Sequence, residues 1–154
     1  MKFIFILCTM LMMSMQTTAG AQILTVDKNI KPSSSVKKIK AVHQEIDVKG
    51  FSFDEIRYVI LQGMLSTHGY AWGYEGEGDD YILARFDYRG DTVIMRIEFT
   101  DEIIQLKYHK AWGDYVCKND IDGVCYKNAG GYYKYVRNLR KSIVAKVNSE
   151  GGVL

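Results

Sequence analysis

Hydrophobic and polar side chains alternate along three segments in the middle of the chain. The segments run from Tyr81 to Tyr88, from Thr92 to Phe99 and from Ile103 to His109. Every second side chain is apolar and most of the others are polar or charged, which is typical of strands with one face on a core. Because short turns separate the segments, neighbouring strands are predicted to be antiparallel. A fourth strand is predicted from Tyr70 to Glu75.

Apolar residues recur at spacings of three and four on either side of these strands, which predicts two amphipathic helices. The first lies within 51–69, where Ser52 and Glu55 form a capping-box pattern and Gly69 is a natural stop. The second covers 132–147. The predicted fold is therefore α+β. It consists of a helix, a four-stranded antiparallel meander and a C-terminal helix, with both helices packed on the apolar face of the sheet.

The beginning of the chain has the pattern of a secretory signal peptide. Lys2 precedes an apolar run over 3–15, which is too short to span a membrane, and Ala19 and Ala21 supply the small residues that signal peptidase reads. We expect cleavage after Ala21, so that 1–21 is removed and the protein is periplasmic or secreted.

The remaining chain divides into two parts by composition. Residues 22–50 contain the only proline, Pro32, beside serines and lysines, and are predicted to be an irregular linker. Within them, 41–50 is compatible with a short edge strand. Residues 51–148 are predicted to form a single α+β domain.

The charge balance argues against one class of partner. Cleavage after Ala21 leaves 133 residues with 19 basic and 18 acidic side chains. Nucleic-acid-binding domains usually carry a clear basic excess, so we expect no nucleic-acid partner. The mature chain contains no stretch that is long and apolar enough to cross a membrane.

Two cysteines, Cys117 and Cys125, remain after cleavage because Cys8 leaves with the signal peptide. In an oxidising compartment an even pair is most simply a disulfide. Their spacing differs from the C-x-x-C of redox proteins, and one pair is at most half a zinc site. A calcium loop fails because Lys118 and Ala129 occupy positions that require carboxylates. We therefore predict a structural disulfide around a tight turn, with no metal and no other cofactor.

Several segments together resemble a family of small bacterial exported envelope proteins. In that family a helix ends before Gly-Trp, and a closing helix carries Tyr-Asn-x-Trp-[Ile/Val]-x-Asn-Leu. Here Gly69-Tyr70 and the run "YYKYVRNL" at 132–139 are similar, with Tyr70 and Tyr135 in place of the tryptophans and Tyr133 in place of the asparagine. The likeness extends over about 51–147. Because the family has no assigned activity, the resemblance implies an exported α+β domain and no catalytic role.

Aromatic residues are the leading candidates for a functional surface. The candidates lie in the loop after the last strand and at the start of the last helix: Trp112, Tyr115, Tyr126, Tyr133 and Tyr135. Consecutive tyrosines at 132 and 133 are not expected to face the core together. Aromatic side chains beside glycine and charge suit recognition of another envelope protein, a peptide or a glycan. The pattern favours a non-catalytic binding module.

Two other classes of function stay open at this stage. One is a small hydrolase, either metal-dependent or carboxylate-based, whose site would be an acidic turn. The composition of this turn is equally typical of a solvated hairpin. The turn contains Glu75, Glu77, Asp79 and Asp80. The other class is a secreted inhibitor. The spacing of His43, His68 and His109 brings no two of them together, so we assign no catalytic residue and expect no enzymatic activity.

Overall fold

The structure, a computed structural model, describes residues 34–151. Over that range the chain is α+β, with an antiparallel sheet and a separate two-stranded hairpin. The predicted signal peptide and the first part of the predicted linker lie outside the described residues. The elements follow one another as α1 Val36–His43, β1 Ile46–Asp47, α2 Phe53–Leu65, β2 Gly73–Gly78, β3 Tyr81–Tyr88, β4 Asp91–Phe99, β5 Ile103–Trp112, a 3-10 turn Gly113–Tyr115, β6 Asn119–Ile121, β7 Val124–Lys127 and α3 Gly130–Glu150.

The main sheet has five strands in the order β1-β5-β4-β3-β2, and all neighbours are antiparallel. The predicted meander of four strands is confirmed as β2 to β5, but the predicted total of four is wrong. The fifth strand, β1, pairs Ile46 with Ile104 at the outer edge of β5. It lies within 41–50, the segment predicted to be compatible with a short edge strand.

The predicted irregular linker is wrong for 36–43, which form helix α1. The Ser35 side chain caps α1 by accepting a hydrogen bond from the Lys38 N–H. Ile39 and Val42 of α1 are fully buried, and the helix lies against α3. Of the residues that suggested a linker, Ser35 is the helix cap, and Lys37, Lys38 and Lys40 are exposed on α1. A helix of only eight residues shows too little apolar periodicity to be recognised.

Helix α2 begins as predicted and ends earlier than predicted. The Ser52 N–H donates to the Glu55 carboxylate at 2.7 Å, and the Glu55 N–H donates to Ser52 Oγ at 3.3 Å, which is a complete capping box. The helix stops at Leu65, before Gly69. The chain then reverses direction, and the Trp72 N–H donates a hydrogen bond to the Met64 carbonyl. Consequently β2 begins at Gly73 rather than at Tyr70.

The core is built on the apolar face of the sheet that the alternation predicts. Nine strand residues on that face are almost completely buried: Ile82, Ala84, Phe86, Val93, Met95, Ile97, Phe99, Ile104 and Leu106. They form one cluster with buried residues of all three helices. On the other face, which we call the charged face, Glu98 pairs with Arg96 and Lys107. Within 34–151, no helix combines the length and apolarity that crossing a bilayer requires.

Candidate functional site

The predicted disulfide hairpin is present. Cys117 and Cys125 are bonded, with their Cα atoms 5.8 Å apart. The turn between β6 and β7 consists of Asp122 and Gly123, both with positive φ, as in the tight turns of two-residue hairpins. The Lys118 N–H donates to the Lys127 carbonyl at 2.8 Å beside the bridge. The spacing of the cysteines therefore indicated a staple correctly.

The five aromatic residues predicted as a surface do not form one. Tyr115, Tyr126 and Tyr133 are buried, so they cannot line a binding surface. Trp112 is 44% exposed, and Tyr135 is half-buried. These two lie on different faces of the sheet.

A bulge in β5 accounts for the position of Trp112. The register shifts between the pairs Ile94–Lys110 and Met95–Tyr108, which leaves His109 unmatched. Trp112 then pairs with Thr92 on the charged face, where Lys110 Nζ lies 4.9 Å from its ring centroid. Without the extra residue, alternation from Leu106 would carry Trp112 to the apolar face.

Tyr132 and Tyr133 are both buried, contrary to prediction, because two different layers cover them. Tyr132 faces the sheet, where its ring lies 6.1 Å from the Tyr108 ring. Tyr133 faces the stapled hairpin and donates its hydroxyl to the Cys125 carbonyl at 2.9 Å. A helix that contacts a sheet on one side and a hairpin on the other can bury two neighbouring side chains. A helix with a single buried face would bury only one of them.

A different group of aromatic residues reaches the surface together. Tyr70, Tyr88 and Tyr135 come from a loop, a strand and a helix, and we call them the aromatic patch. The ring centroid of Tyr70 lies 5.3 Å from that of Tyr88, which lies 5.6 Å from that of Tyr135. The buried ring of Phe86, 4.6 Å from Tyr135, forms the floor. Tyr70 is the most open member, with 51% of its surface exposed.

Two cations flank the aromatic patch. The Arg89 guanidinium lies 5.1 Å from the centre of the Tyr88 ring, and Lys134 Nζ lies 5.7 Å from that of Tyr135. Desolvation, followed by the proximity of Tyr88 and Tyr70, raises the pKa of Tyr135, so its phenol stays neutral at physiological pH. The patch therefore offers flat apolar ring faces, hydroxyl donors and adjacent positive charge.

Tyr115 supports the aromatic patch from below. Its ring lies 6.3 Å from Phe86 and 6.1 Å from Tyr135, and burial raises its pKa to about 12. Of the five residues predicted as a binding surface, Tyr135 is the one that belongs to the patch. Sequence spacing did not group it with Tyr70 and Tyr88, because their proximity depends on how the loop before β2 folds back over β3.

The acidic turn is a set of ion pairs. Glu75 pairs with Arg85 at 3.4 Å, Glu77 pairs with Arg57, and Asp80 lies 3.6 Å from Arg96. Three carboxylates thus bind three separate arginines on α2, β3 and β4. Within 34–151, no three residues of the His, Cys, Asp and Glu types are grouped as a metal site would require.

One of the three histidines has a structural role. His43 is fully buried. Its Nδ1 lies 2.8 Å from the Leu106 carbonyl oxygen, and its Nε2 accepts the Cys125 N–H at 3.2 Å. Since the carbonyl can only accept, Nδ1 carries the proton and the ring is neutral. Desolvation lowers its pKa to about 4. His68 and His109 are exposed.

A shallow groove of about 470 Å³ runs beside the disulfide. It is lined by Gly113, Asp114, Val116, Lys118, Lys127, Asn128 and Ala129. The Asn128 side chain donates to the Tyr115 carbonyl at 2.8 Å, which fixes one wall.

Comparisons of the chain with protein-family models, curated proteins and solved structures gave no match. The resemblance to small bacterial envelope proteins therefore stays a prediction.

Proposed function

We propose that this chain is an exported, non-catalytic binding module of the cell envelope that recognises its partner through the aromatic patch. The observation that carries the proposal is the open ring of Tyr70, which packs at tilted and edge-on angles against Tyr88, Tyr135 and the buried ring of Phe86. The signal-peptide pattern at the beginning of the chain supports export.

The chemistry of the patch suits a ligand with apolar or ring-shaped surface. Tyrosine contributes a large contact area while losing little conformational freedom, and its hydroxyl adds a directional hydrogen bond. Arg89 and Lys134 add positive charge at the rim. A peptide, a glycan or a protein loop with an exposed ring or a carboxylate would match these groups.

The proposal includes a two-layer frame in which α2 and α3 cover the same face of the sheet. Ring contacts support that frame, because Phe53 of α2 lies 5.9 Å from Phe99 and Tyr135 of α3 lies 4.6 Å from Phe86. Such a frame would hold the patch ready for binding, which reduces the entropy lost on association.

Pairing of the acidic side chains favours binding over catalysis. A carboxylate that acts as a general base or nucleophile must have an oxygen directed at the substrate. Glu75 and Glu77 each bind an arginine instead. The buried His43 has both ring nitrogens engaged inside the protein.

The test is affinity capture from an envelope extract, followed by measurement with the purified partner. We expect Tyr70→Ala to weaken binding of that partner by about 30-fold, because it removes the exposed ring at the centre of the patch. Competition with soluble glycans and with peptides then identifies the ligand class.

The matched control is Tyr58→Ala on α2, since Tyr58 is 52% exposed and lies outside the patch. Its affinity should equal that of the wild type. Equal losses in both variants, or a partner that binds Tyr70→Ala normally, would contradict the proposal. Trp112→Ala tests the charged face in the same assay.

A further inference from the structure

The described residues have a strongly uneven distribution of charge. Helices α1 and α3 together contain eight basic residues and one acidic residue, a net charge of +7. The rest of 34–151 contains nine basic and sixteen acidic residues, a net charge of −7. The net charge of 34–151 is therefore zero because the positive charge of the two helices and the negative charge of the other residues cancel.

The two basic helices form one platform. Arg140 of α3 donates from Nε to the Gln44 carbonyl at 2.8 Å and from Nη2 to the Glu45 carbonyl at 2.9 Å. These carbonyls follow the C-terminal end of α1, so one guanidinium fixes the end of α1 against α3. Buried Ile39 and Val42 hold the rest of α1 on the core.

Six of the seven remaining cations of the platform are exposed. Five of them, which we call the basic face, are Lys37, Lys38, Lys40, Arg137 and Lys141, and the sixth, Lys134, flanks the aromatic patch. Arg137 and Lys141 are one helical turn apart on α3. Val36, 45% exposed, lies one turn before Lys40 on α1 and adds an apolar side chain beside the lysines. At the fixed end of the platform, the acidic side chain of Glu45 lies near Arg140.

We propose that the basic face binds the anionic surface of a phospholipid membrane. Lysine and arginine side chains beside a bilayer are attracted by acidic headgroups, and their aliphatic stems tolerate the interfacial region. The net −7 of the remaining protein is repelled by the same surface. The molecule would therefore bind in one orientation, with α1 and α3 toward the lipid.

Lipid fits this surface better than nucleic acid does. Four of the five cations are lysines, which act as point charges, whereas recognition of base edges relies chiefly on the two-pronged geometry of arginine. No aromatic side chain belongs to the basic face, so it offers no platform for base stacking.

Binding through the basic face leaves the aromatic patch accessible. Side chains at 135 and 137 point about 200° apart around the axis of α3. The membrane and the partner of the patch would therefore occupy different sides of the molecule. The inference does not depend on the patch having a partner.

The experiment is vesicle co-sedimentation with protein purified from cells that produce it, so that natural processing is retained. Vesicles of phosphatidylglycerol and phosphatidylcholine in equal parts are compared with pure phosphatidylcholine. We expect binding to the anionic vesicles to be about tenfold stronger at least, and to be lost at about 0.5 M salt. Equal binding to both kinds of vesicle, or none, would overturn the inference.

Charge-reversal variants locate the surface. Lys37→Glu combined with Lys141→Glu should weaken binding to the anionic vesicles about tenfold or more. Lys110→Glu combined with Lys118→Glu makes the same change of net charge in the acidic region and should leave binding almost unchanged. Equal loss in both pairs would overturn the inference, as would an oligonucleotide that displaces the protein from vesicles. Should the first pair fold poorly, Lys40→Gln with Arg137→Gln provides the same comparison.

Discussion

His43 connects three elements through a single neutral ring. It is the last residue of α1, it donates to β5 at Leu106, and it accepts from β7 at Cys125. The Tyr132 hydroxyl lies 3.5 Å from the same Nε2. Because a protonated ring would direct a second N–H at the Cys125 N–H, the fold favours the neutral form. Burial has the same effect and is the main cause of the lowered pKa.

We predict that acidification destabilises the protein through His43. A histidine whose pKa is about 4 when folded and 6.5 when unfolded binds its proton preferentially in the unfolded state. The stability that the neutral His43 ring contributes is fully present above pH 6.5 and is lost as the pH falls toward 4. The free energy of unfolding, measured with urea, should therefore drop by about 2 kcal/mol between pH 7 and pH 5.

The control is the His43→Gln variant, which does not titrate in this range. It should be less stable at pH 7 because one or both hydrogen bonds are weakened, and its stability should change little between pH 7 and pH 5. His68→Gln, at an exposed position, should retain the wild-type pH dependence. If His43→Gln also retained it, another group would be responsible.

At the scale of elements, the closest approach between helices depends on Gly63 of α2. A Cβ at this position would lie 2.8 Å from Ile143 Cα and 2.6 Å from Ile143 Cγ1 on α3. A contact with backbone cannot be relieved by rotating a side chain. The residue therefore permits the spacing between α2 and α3, although glycine normally weakens a helix interior.

We predict that Gly63→Ala destabilises the protein by about 1–3 kcal/mol, despite the better helix propensity of alanine, because the helices must separate. Thermal or urea unfolding provides the measurement. Gly130→Ala is the matched control, since a Cβ there meets nothing within 4 Å and Gly130 opens α3. That variant should be as stable as the wild type or slightly more stable. A stable Gly63→Ala protein would show that α2 and α3 can shift without cost.

At the scale of the whole molecule, three separate elements complete the outer edge of β5. β1 pairs with Ile104, the His43 ring binds the Leu106 carbonyl, and the Gly123 carbonyl accepts the Tyr108 N–H at 2.7 Å. An edge strand with unpaired groups is prone to association. The segment before α2 therefore contributes buried side chains and edge contacts to the sheet.

We predict that a chain beginning at Phe51 fails to fold stably. It would lack the buried side chains of Ile39, Val42 and Ile46 and would expose the edge of β5. Each fully buried aliphatic side chain contributes about 1.5–3 kcal/mol, so the loss is comparable with the stability of a small domain. Circular dichroism and thermal unfolding, compared with a chain beginning at Gln22, provide the measurement. Equal melting temperatures would show that α1 and β1 are dispensable.

The sequence by itself determined the features that depend on neighbours along the chain. Strands β3 to β5 follow from alternation, the start of α2 follows from the Ser52 and Glu55 pair, and the disulfide follows from an even cysteine count around a tight turn. Each of these signals arises within about ten residues, where local geometry governs the outcome.

Only the tertiary structure decided which side chains reach the surface. The aromatic patch joins Tyr70 to Tyr135, and His43 meets Leu106 and Cys125, across separations for which local periodicity carries no information. One bulged residue, His109, moved Trp112 from the apolar to the charged face. Tyr133 is buried against the hairpin of β6 and β7, which the disulfide between Cys117 and Cys125 closes. Surfaces and buried polar contacts depend on how distant segments pack. The sequence pattern could therefore indicate candidate residues, but it could not predict which of them lie close together.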